Sequence, residues 1–332
     1  MTAKRQIKTK ALGLCSGGLD SILSALVLQK QGIEVAWITF ETPFFAADKA
    51  RQAAELTGIP LIVENITPVY LEMLLNPRCG YGKFMNPCLD CHALMFRLAG
   101  RTMQNRGFDF LFSGEVLGQR PMSQTKPSLR YVEKNSGFDG YIVRPLSARR
   151  LPETIPEQEG RVDREKLLDI TGRSRKRQIQ LAAQWGVKTY PAPAGGCLLT
   201  DKGYTTRLKE LFGHQQDYNE TELHLLKYGR HFRLANGAKL IVGRMQEDNQ
   251  HIQKLFDPAT DTLVKVQNFP GPLGLIPQRG DKATVFLAAA ICAGYSKAPD
   301  GQPADVAVRG VQGSQTVRVL PIAPRDVKKL LI

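Results

Sequence analysis

Two rhythms of apolar positions alternate through the first part of the chain. Residues 10–15 (Lys-Ala-Leu-Gly-Leu-Cys) are a short apolar run, the pattern of a strand buried on both faces. Ile22, Leu23, Leu26, Val27 and Leu28 then recur at helical spacing across residues 20–31, with Gly32 as the stop. The pair of signals repeats: a strand at Glu34 to Phe40, a helix from Asp48 to Gly58, a third strand at Leu61 to Ile66. Residues 76–90, rich in Gly, Asn and Pro, predict a loop, Cys88 to Arg106 a helix ended by Gly107, and Phe108 to Ser113 a further buried strand. Gly114 to Arg130 reads as a long polar loop, Val143 to Pro145 as a strand end, and 151–160 as a surface connection. Arg161 to Gly186 has helical character with a basic cluster near its middle, and residues 190–196 form a loop leading to Cys197. Strand and helix in alternation predict an open parallel sheet with right-handed crossovers.

After about residue 205 the texture changes. Short β-like runs at His231 to Leu234, Ala238 to Gly243, Leu263 to Val266 and Ala283 to Ala289 are separated by turn signals such as Asn236-Gly237 and Arg279-Gly280. The expected fold class is therefore α/β, an open parallel-sheet domain over residues 1–200, followed by a smaller α+β module over 201–332.

Composition narrows the function classes. No apolar run approaches the ~20 residues needed to span a bilayer. The apolar stretch Ala11 to Cys15 is too short for a signal-peptide core, so a cytoplasmic protein without a membrane partner is expected. The net charge of +14 favours a polyanionic partner, through steering and counterion release.

Candidate chemistry starts at Ser16-Gly17-Gly18-Leu19-Asp20-Ser21, between the first strand and the first helix. Gly17 and Gly18 let the backbone come close to an anion, the helix start offers N–H donors and a positive dipole end, and Ser16 and Ser21 add hydroxyls. Asp20 is placed to help hold Mg2+ beside phosphates. The spacing is too short for a Walker A loop, which also needs Gly-Lys-Ser/Thr. A bare strand-to-helix turn capped by Asp20 and Ser21 is the plainer reading. The six residues resemble the signature of the PP-loop (N-type ATP pyrophosphatase) superfamily, whose HUP-type, Rossmann-like domain holds the pyrophosphate of ATP while a substrate is adenylated. That resemblance implies ATP on Ser16, Gly17, Gly18, Leu19, Asp20 and Ser21, with Thr39 and Phe40 near the adenine and Ser113 and Gly114 near the nucleotide.

Six cysteines are present, at positions 15, 79, 88, 91, 197 and 292. In a reducing compartment they are expected to serve metal, cluster or sulfur chemistry, not structural disulfides. Cys88 and Cys91 lie two residues apart at a helix start, and Cys197 follows Gly195-Gly196. Three thiolates can hold an iron–sulfur cluster and leave one iron open. Zinc, with His92 or Cys79 as fourth ligand, is an alternative. So are a redox pair and three buried, unreactive cysteines. Cys-x-x-Cys-His is also a haem-attachment pattern, but that attachment takes place outside the cytoplasm.

Asn86-Pro87-Cys88-Leu89-Asp90-Cys91 with a later Gly-Gly-Cys197 resembles the tRNA-thiolation branch of the superfamily, and its cluster-dependent members more than its two-cysteine thiouridylases. The resemblance spans roughly residues 10–200. It implies Asp20, Cys88, Cys91 and Cys197 as catalytic residues, the three cysteines as ligands of a 4Fe–4S cluster, and tRNA and a sulfur donor (sulfide or a persulfide carrier) as partners. Further on, residues 227–234 (Lys-Tyr-Gly-Arg-His-Phe-Arg-Leu), the turn Asn236-Gly237 and Ile241-Val242-Gly243-Arg244 resemble the NFACT-R (DUF814) RNA-binding domain, although Met245 stands where an asparagine is expected. Basic residues interleaved with an aromatic suit phosphate contact and base stacking, while a solvated basic hairpin is the plainer alternative. Arg173, Arg175, Lys176, Arg177, Arg230, Arg233 and Arg244 are the candidate RNA contacts, with Arg120, Arg144, Arg149 and Arg150 as further basic positions.

The expected activity is ATP-dependent tRNA sulfur transfer. A PP-loop enzyme acting on a small-molecule precursor and a non-catalytic RNA-binding zinc protein are the alternatives. The base modified, the sulfur donor and the oligomeric state are not legible.

Overall fold

The computed structural model describes residues 8–191, 196–299, 301–311 and 313–332. Most of the loop expected before Cys197, residues 192–195, and the basic residues 1–7 lie outside them. The chain divides into two compact units, Met1–Thr200 and Asp201–Ile332.

The first unit opens with β1 (Lys10–Leu14), α1 (Leu19–Gln29), β2 (Glu34–Glu41), α2 (Asp48–Thr57) and β3 (Leu61–Asn65). It continues with α3 (Thr67–Leu75), α4 (Cys88–Arg106), β4 (Phe110–Ser113), α5 (Lys126–Ser136) and β5 (Ile142–Val143), then a short α6 (Ile155–Gln158) and α7 (Lys176–Gln184). The strands form one parallel sheet in the order β3-β2-β1-β4-β5. The order turns back on either side of β1, which makes the carboxyl end of β1 the switch point where such sheets bind ligands. The core beneath it is continuous, with Leu19, Ile22 and Leu23 of α1 against Trp37, Phe110 and Phe112 of the sheet. Gly13 in β1 is filled over by the Phe112 ring; a methyl there would sit 2.3 Å from Cζ.

Three expectations for this unit are corrected. Helix α3 falls where no element was expected, its first turn set by a proline and by Asn65 Oδ1 accepting from the Thr67 N–H at 2.9 Å. The stretch expected as a loop to Arg130 turns helical from Lys126, where Thr125 caps α5 by accepting from the Ser128 N–H. The helix expected over Arg161 to Gly186 is α7 alone, preceded by one 3-10 turn at Arg164–Lys166. Residues 167–172 are instead laced along their neighbours: the N–H groups of Leu168, Ile170 and Gly172 donate to the carbonyls of Pro145, Leu146 and Leu117. A backbone bonded in that way cannot also close helical turns. The basic cluster therefore precedes α7 and forms its first residues, with Arg175 at the N-cap.

The second unit contains α8 (Lys202–His214), α9 (Glu220–Leu225), β6 (Arg230–Arg233), β7 (Lys239–Val242), α10 (Gln246–Leu255), β8 (Thr262–Val266) and β9 (Leu273–Ile276). It ends with α11 (Lys282–Gly294), β10 (Ala304–Gly310) and β11 (Gly313–Val319). Its antiparallel sheet runs β11-β10-β8-β9-β7-β6. The β-like run at Ala283 to Ala289 is corrected to helix. Asp281 caps α11 by accepting from the Thr284 N–H at 2.7 Å, and the apolar run is buried as a core helix against the sheet. Among the described residues no helix is long and apolar enough to cross a membrane.

Candidate nucleotide and thiol site

The loop after β1 is built by close packing. Gly17 has φ +74°, and a Cβ there would stand 2.2 Å from the Lys49 carbonyl carbon of α2. Gly114, just past β4, lies against the backbone of Asp20 and Ser21, where a Cβ would meet atoms at 2.5 to 2.6 Å. Gly18 differs: its φ is −81°, and a Cβ would meet nothing nearer than Ser16 Oγ at 3.6 Å. Its bareness serves no contact of the protein's own and leaves free space over the loop. Gly18 is also the N-cap of α1 and supplies no side-chain cap, so the helix start keeps N–H donors of the kind that suit an anion. Ser16 and Ser21 converge beside that start, Oγ to Oγ 3.2 Å.

Asp20, in the first turn of α1, is held on one side only. Its Oδ2 accepts from Gln119 Nε2 at 2.7 Å, whereas Oδ1 is buried and has no hydrogen-bond partner. A lone carboxylate oxygen beside an anion cradle fits a divalent cation. Thr39 and Phe40 lie buried in the carboxyl half of β2, beside β1, where Cys15 N–H donates to the Ile38 carbonyl.

The thiols gather at the start of α4. Asn86 Nδ2 donates to Cys88 Sγ at 3.3 Å, while the Asn86 backbone carbonyl accepts from Gly82. Cys197 arrives from far along the chain on a 3-10 turn (Leu198–Thr200), pinned by Leu198 N–H to the Phe44 carbonyl and by Met85 N–H to the Leu199 carbonyl. Those two bonds tie the turn to the segment after β2 and to the one just before Cys88. Tyr70 of α3 is fully buried beside Phe44 and Phe45, with its hydroxyl near enough to Cys91 to favour the thiolate. Burial, and next the charge of Cys197, push the Cys91 thiol far up. Burial pushes Cys197 up to about 11, against the Leu199 N–H that favours its thiolate. Burial, then Cys91 and Cys197, also hold the Tyr70 phenol well above its ordinary value. The three expected cysteines thus feel one another around one phenol. No group of three His, Cys, Asp or Glu side chains close enough to hold a metal ion is found among the described residues.

A buried ion cluster braces this end of the sheet. Glu115 Oε1 pairs with His92 Nδ1 at 3.0 Å and its Oε2 with Arg144 Nε at 3.0 Å. Burial alone would raise the Glu115 carboxyl; Arg144 and His92 overcome it and hold it at about 2. Arg144, 4% exposed, is therefore a core residue and not a backbone-contacting arginine of the surface. Cys79, the other zinc alternative, is exposed, and its N–H donates to Asp90 Oδ2.

The candidate RNA contacts fall in both units. Arg173 and Lys176 are exposed, Arg175 is half-buried with its Nε unpartnered, and Arg177 pairs with Asp169 at 2.9 Å. Arg230 lies over the Tyr295 ring at 4.8 Å. Arg233 is bound to Glu210 at 2.6 Å and Arg244 to Asp248 at 2.8 Å, so both guanidinium groups are engaged within their unit. Tyr70, Gln119 and Glu115 were not anticipated. Tyr70 lies on an unexpected helix, and the other two lie in a stretch read as an undifferentiated polar loop.

The parallel sheet, with the glycine loop at the carboxyl end of its switch-point strand, gives the first unit a Rossmann-like fold of the PP-loop type. Residues 6–150 match the family described as thiamine biosynthesis protein (ThiI), and residues 229–331 match the NFACT protein RNA binding domain. Among curated relatives, a tRNA-specific 2-thiouridylase MnmA from Desulforamulus reducens is 24% identical over 231 residues, 61% of this chain and 59% of the relative. A probable tRNA sulfurtransferase from Alkaliphilus oremlandii is 31% identical over 148 residues, 42% of this chain and 36% of the relative. The chain thus spans less than two thirds of the length of either. A solved 4-thiouridine synthetase–RNA complex with bound ATP is 20% identical, covering 54% of this chain and 52% of that one, with a TM-score of 0.34.

Proposed function

We propose that the protein is a cytoplasmic ATP-dependent sulfurtransferase that activates a nucleobase carbonyl of tRNA and replaces its oxygen with sulfur. What supports the reading is the presence, within one unit, of free space over Gly18 at the start of α1 and of Cys88, Cys91 and Cys197 near enough for their charges to act on one another. An enzyme that only split ATP would need the first and not the second.

In this reading the triphosphate lies at Gly18 with donors from the start of α1, Ser16 and Ser21, and Asp20 Oδ1 would hold the magnesium that accompanies it. The base oxygen attacks the α-phosphorus and the bond to the β-phosphate oxygen breaks, so pyrophosphate leaves. Oriented donors and the cation stabilise the charge that develops. Sulfide then attacks the activated carbon, the carbon–oxygen bond breaks, and AMP departs with the oxygen. Cys88, Cys91 and Cys197, drawn closer together than they stand here, would make an all-thiol donor set of the type that holds a 4Fe–4S cluster, and three protein ligands would leave one iron open to sulfide. Zinc on the same thiols is the competing occupant. The match of residues 229–331 to an RNA binding domain supports tRNA as the partner.

Deleting the gene and digesting bulk tRNA for mass spectrometry tests the reading. One thionucleoside should disappear and return on complementation. An unchanged thionucleoside profile sinks it.

A further inference from the structure

Asp20 does not choose its own orientation. Gln119 Nε2 donates to Asp20 Oδ2 at 2.7 Å, and Gln178 Nε2 donates to Gln119 Oε1 at 2.9 Å. Gln178 is on α7 and is completely buried. The direction of this chain is chemically forced. A carboxylate only accepts, so Gln119 must turn its NH2 toward Asp20; its carbonyl then faces Gln178, which must present its own NH2. Two polar atoms are left over, both buried and unpartnered: Asp20 Oδ1 and Gln178 Oε1. Burying a glutamine with an unmet carbonyl is costly unless the arrangement serves something. Residues 117–119 are in turn fastened to the segment before α7, since Thr171 bridges Leu117 and Gly172 N–H donates to the Leu117 carbonyl.

From this geometry we propose that Gln119 and Gln178 are positioning residues of the nucleotide site, an amide relay that locks Asp20 so that Oδ1 is offered to the divalent cation of the bound nucleotide. The inference rests on the nucleotide reading above. The relay occupies Oδ2, which prevents the carboxylate from rotating and from binding the cation through both oxygens. It also couples α7, whose first turn is basic, to the phosphate loop through two side chains.

The test uses the full-length protein, α,β-methylene-ATP as a non-cleavable nucleotide and Mn2+ as the cation, with free Mn2+ read by electron paramagnetic resonance. Gln119→Leu removes the donor to Asp20 and sits on a half-exposed position that tolerates the change. Gln178→Met keeps most of the volume and removes the donor that holds the Gln119 carbonyl, so nothing fixes which end of the Gln119 amide faces Asp20. Both variants should weaken Mn2+ binding to the protein–nucleotide complex about tenfold or more, the scale seen when a residue supporting a metal ligand is removed. Nucleotide binding without divalent cation and the thermal midpoint should stay close to wild type. Unchanged Mn2+ affinity in folded Gln119→Leu protein overturns the relay. If the wild-type protein binds no α,β-methylene-ATP, the nucleotide reading itself fails, and the relay with it.

Discussion

At the scale of single residues, the adjacent glycines of the phosphate loop have different jobs. Gly17 is required by the protein: its φ is +74° and a methyl would strike the Lys49 backbone at 2.2 Å. Gly17→Ala should lower the thermal midpoint clearly, since the left-handed conformation alone costs about 1 kcal/mol or more for an alanine and the clash adds to it. Gly18, with free space above it, is the one the proposed nucleotide would require. Gly18→Ala should leave stability within about 0.5 kcal/mol of wild type, like other substitutions that touch nothing. It should lower pyrophosphate release about tenfold or more, because the methyl occupies the space through which backbone donors reach the phosphate. Paired thermal melts and pyrophosphate assays separate the two effects. If Gly18→Ala releases pyrophosphate at the wild-type rate, the cradle has been assigned to the wrong atoms.

At the scale of elements, the ion cluster of Glu115, His92 and Arg144 joins the segment just after β4, the second turn of α4 and the segment after β5, with Glu133 of α5 3.6 Å from Arg144. Glu115→Gln removes the carboxylate that balances a buried guanidinium and should cost about 3 kcal/mol or more in urea unfolding at neutral pH. The Glu115 carboxyl lies at about 2 in the folded protein against an ordinary 4.5. Its contribution is thus fully present above about pH 4.5 and is lost as the pH falls toward 2. The stability gap between wild type and Glu115→Gln should hold steady from neutral pH to about 5 and narrow below. A gap that does not change with acid would show that the carboxylate charge is not what the cluster uses.

Elements with strong periodic signals and glycine stops were legible in the sequence: β1, α1, β2, α2 and α4 fall where the pattern placed them, with Gly58 and Gly107 in left-handed caps. The apolar run of α11 was misread because a short buried stretch looks alike in strand and helix, and the Asp281 cap was the signal that separates them. The stretch before α7 misled for another reason, since its backbone bonds go to residues far away in sequence, which no local pattern records. The same limit hid Gln119 and Gln178. Nothing near either residue announces the other, and only the fold brings both to Asp20.

At the scale of the whole molecule, the proposed reaction would draw on both units. The first carries the loop at residues 16–21 and the three cysteines; the second carries the match to an RNA binding domain, in a chain of net charge +14. That charge predicts that binding of a polyanion weakens as salt rises, which a titration at two salt concentrations checks. The account stands or falls on whether ATP cleavage and sulfur insertion are one reaction. The direct measurement is a reconstitution with full-length protein, Mg-ATP, sulfide and tRNA lacking the modification, with pyrophosphate and thionucleoside counted in the same sample. The account predicts one pyrophosphate for each thionucleoside formed, with both lost when tRNA is omitted. Pyrophosphate release that continues unchanged without RNA, with no thionucleoside formed, would contradict it.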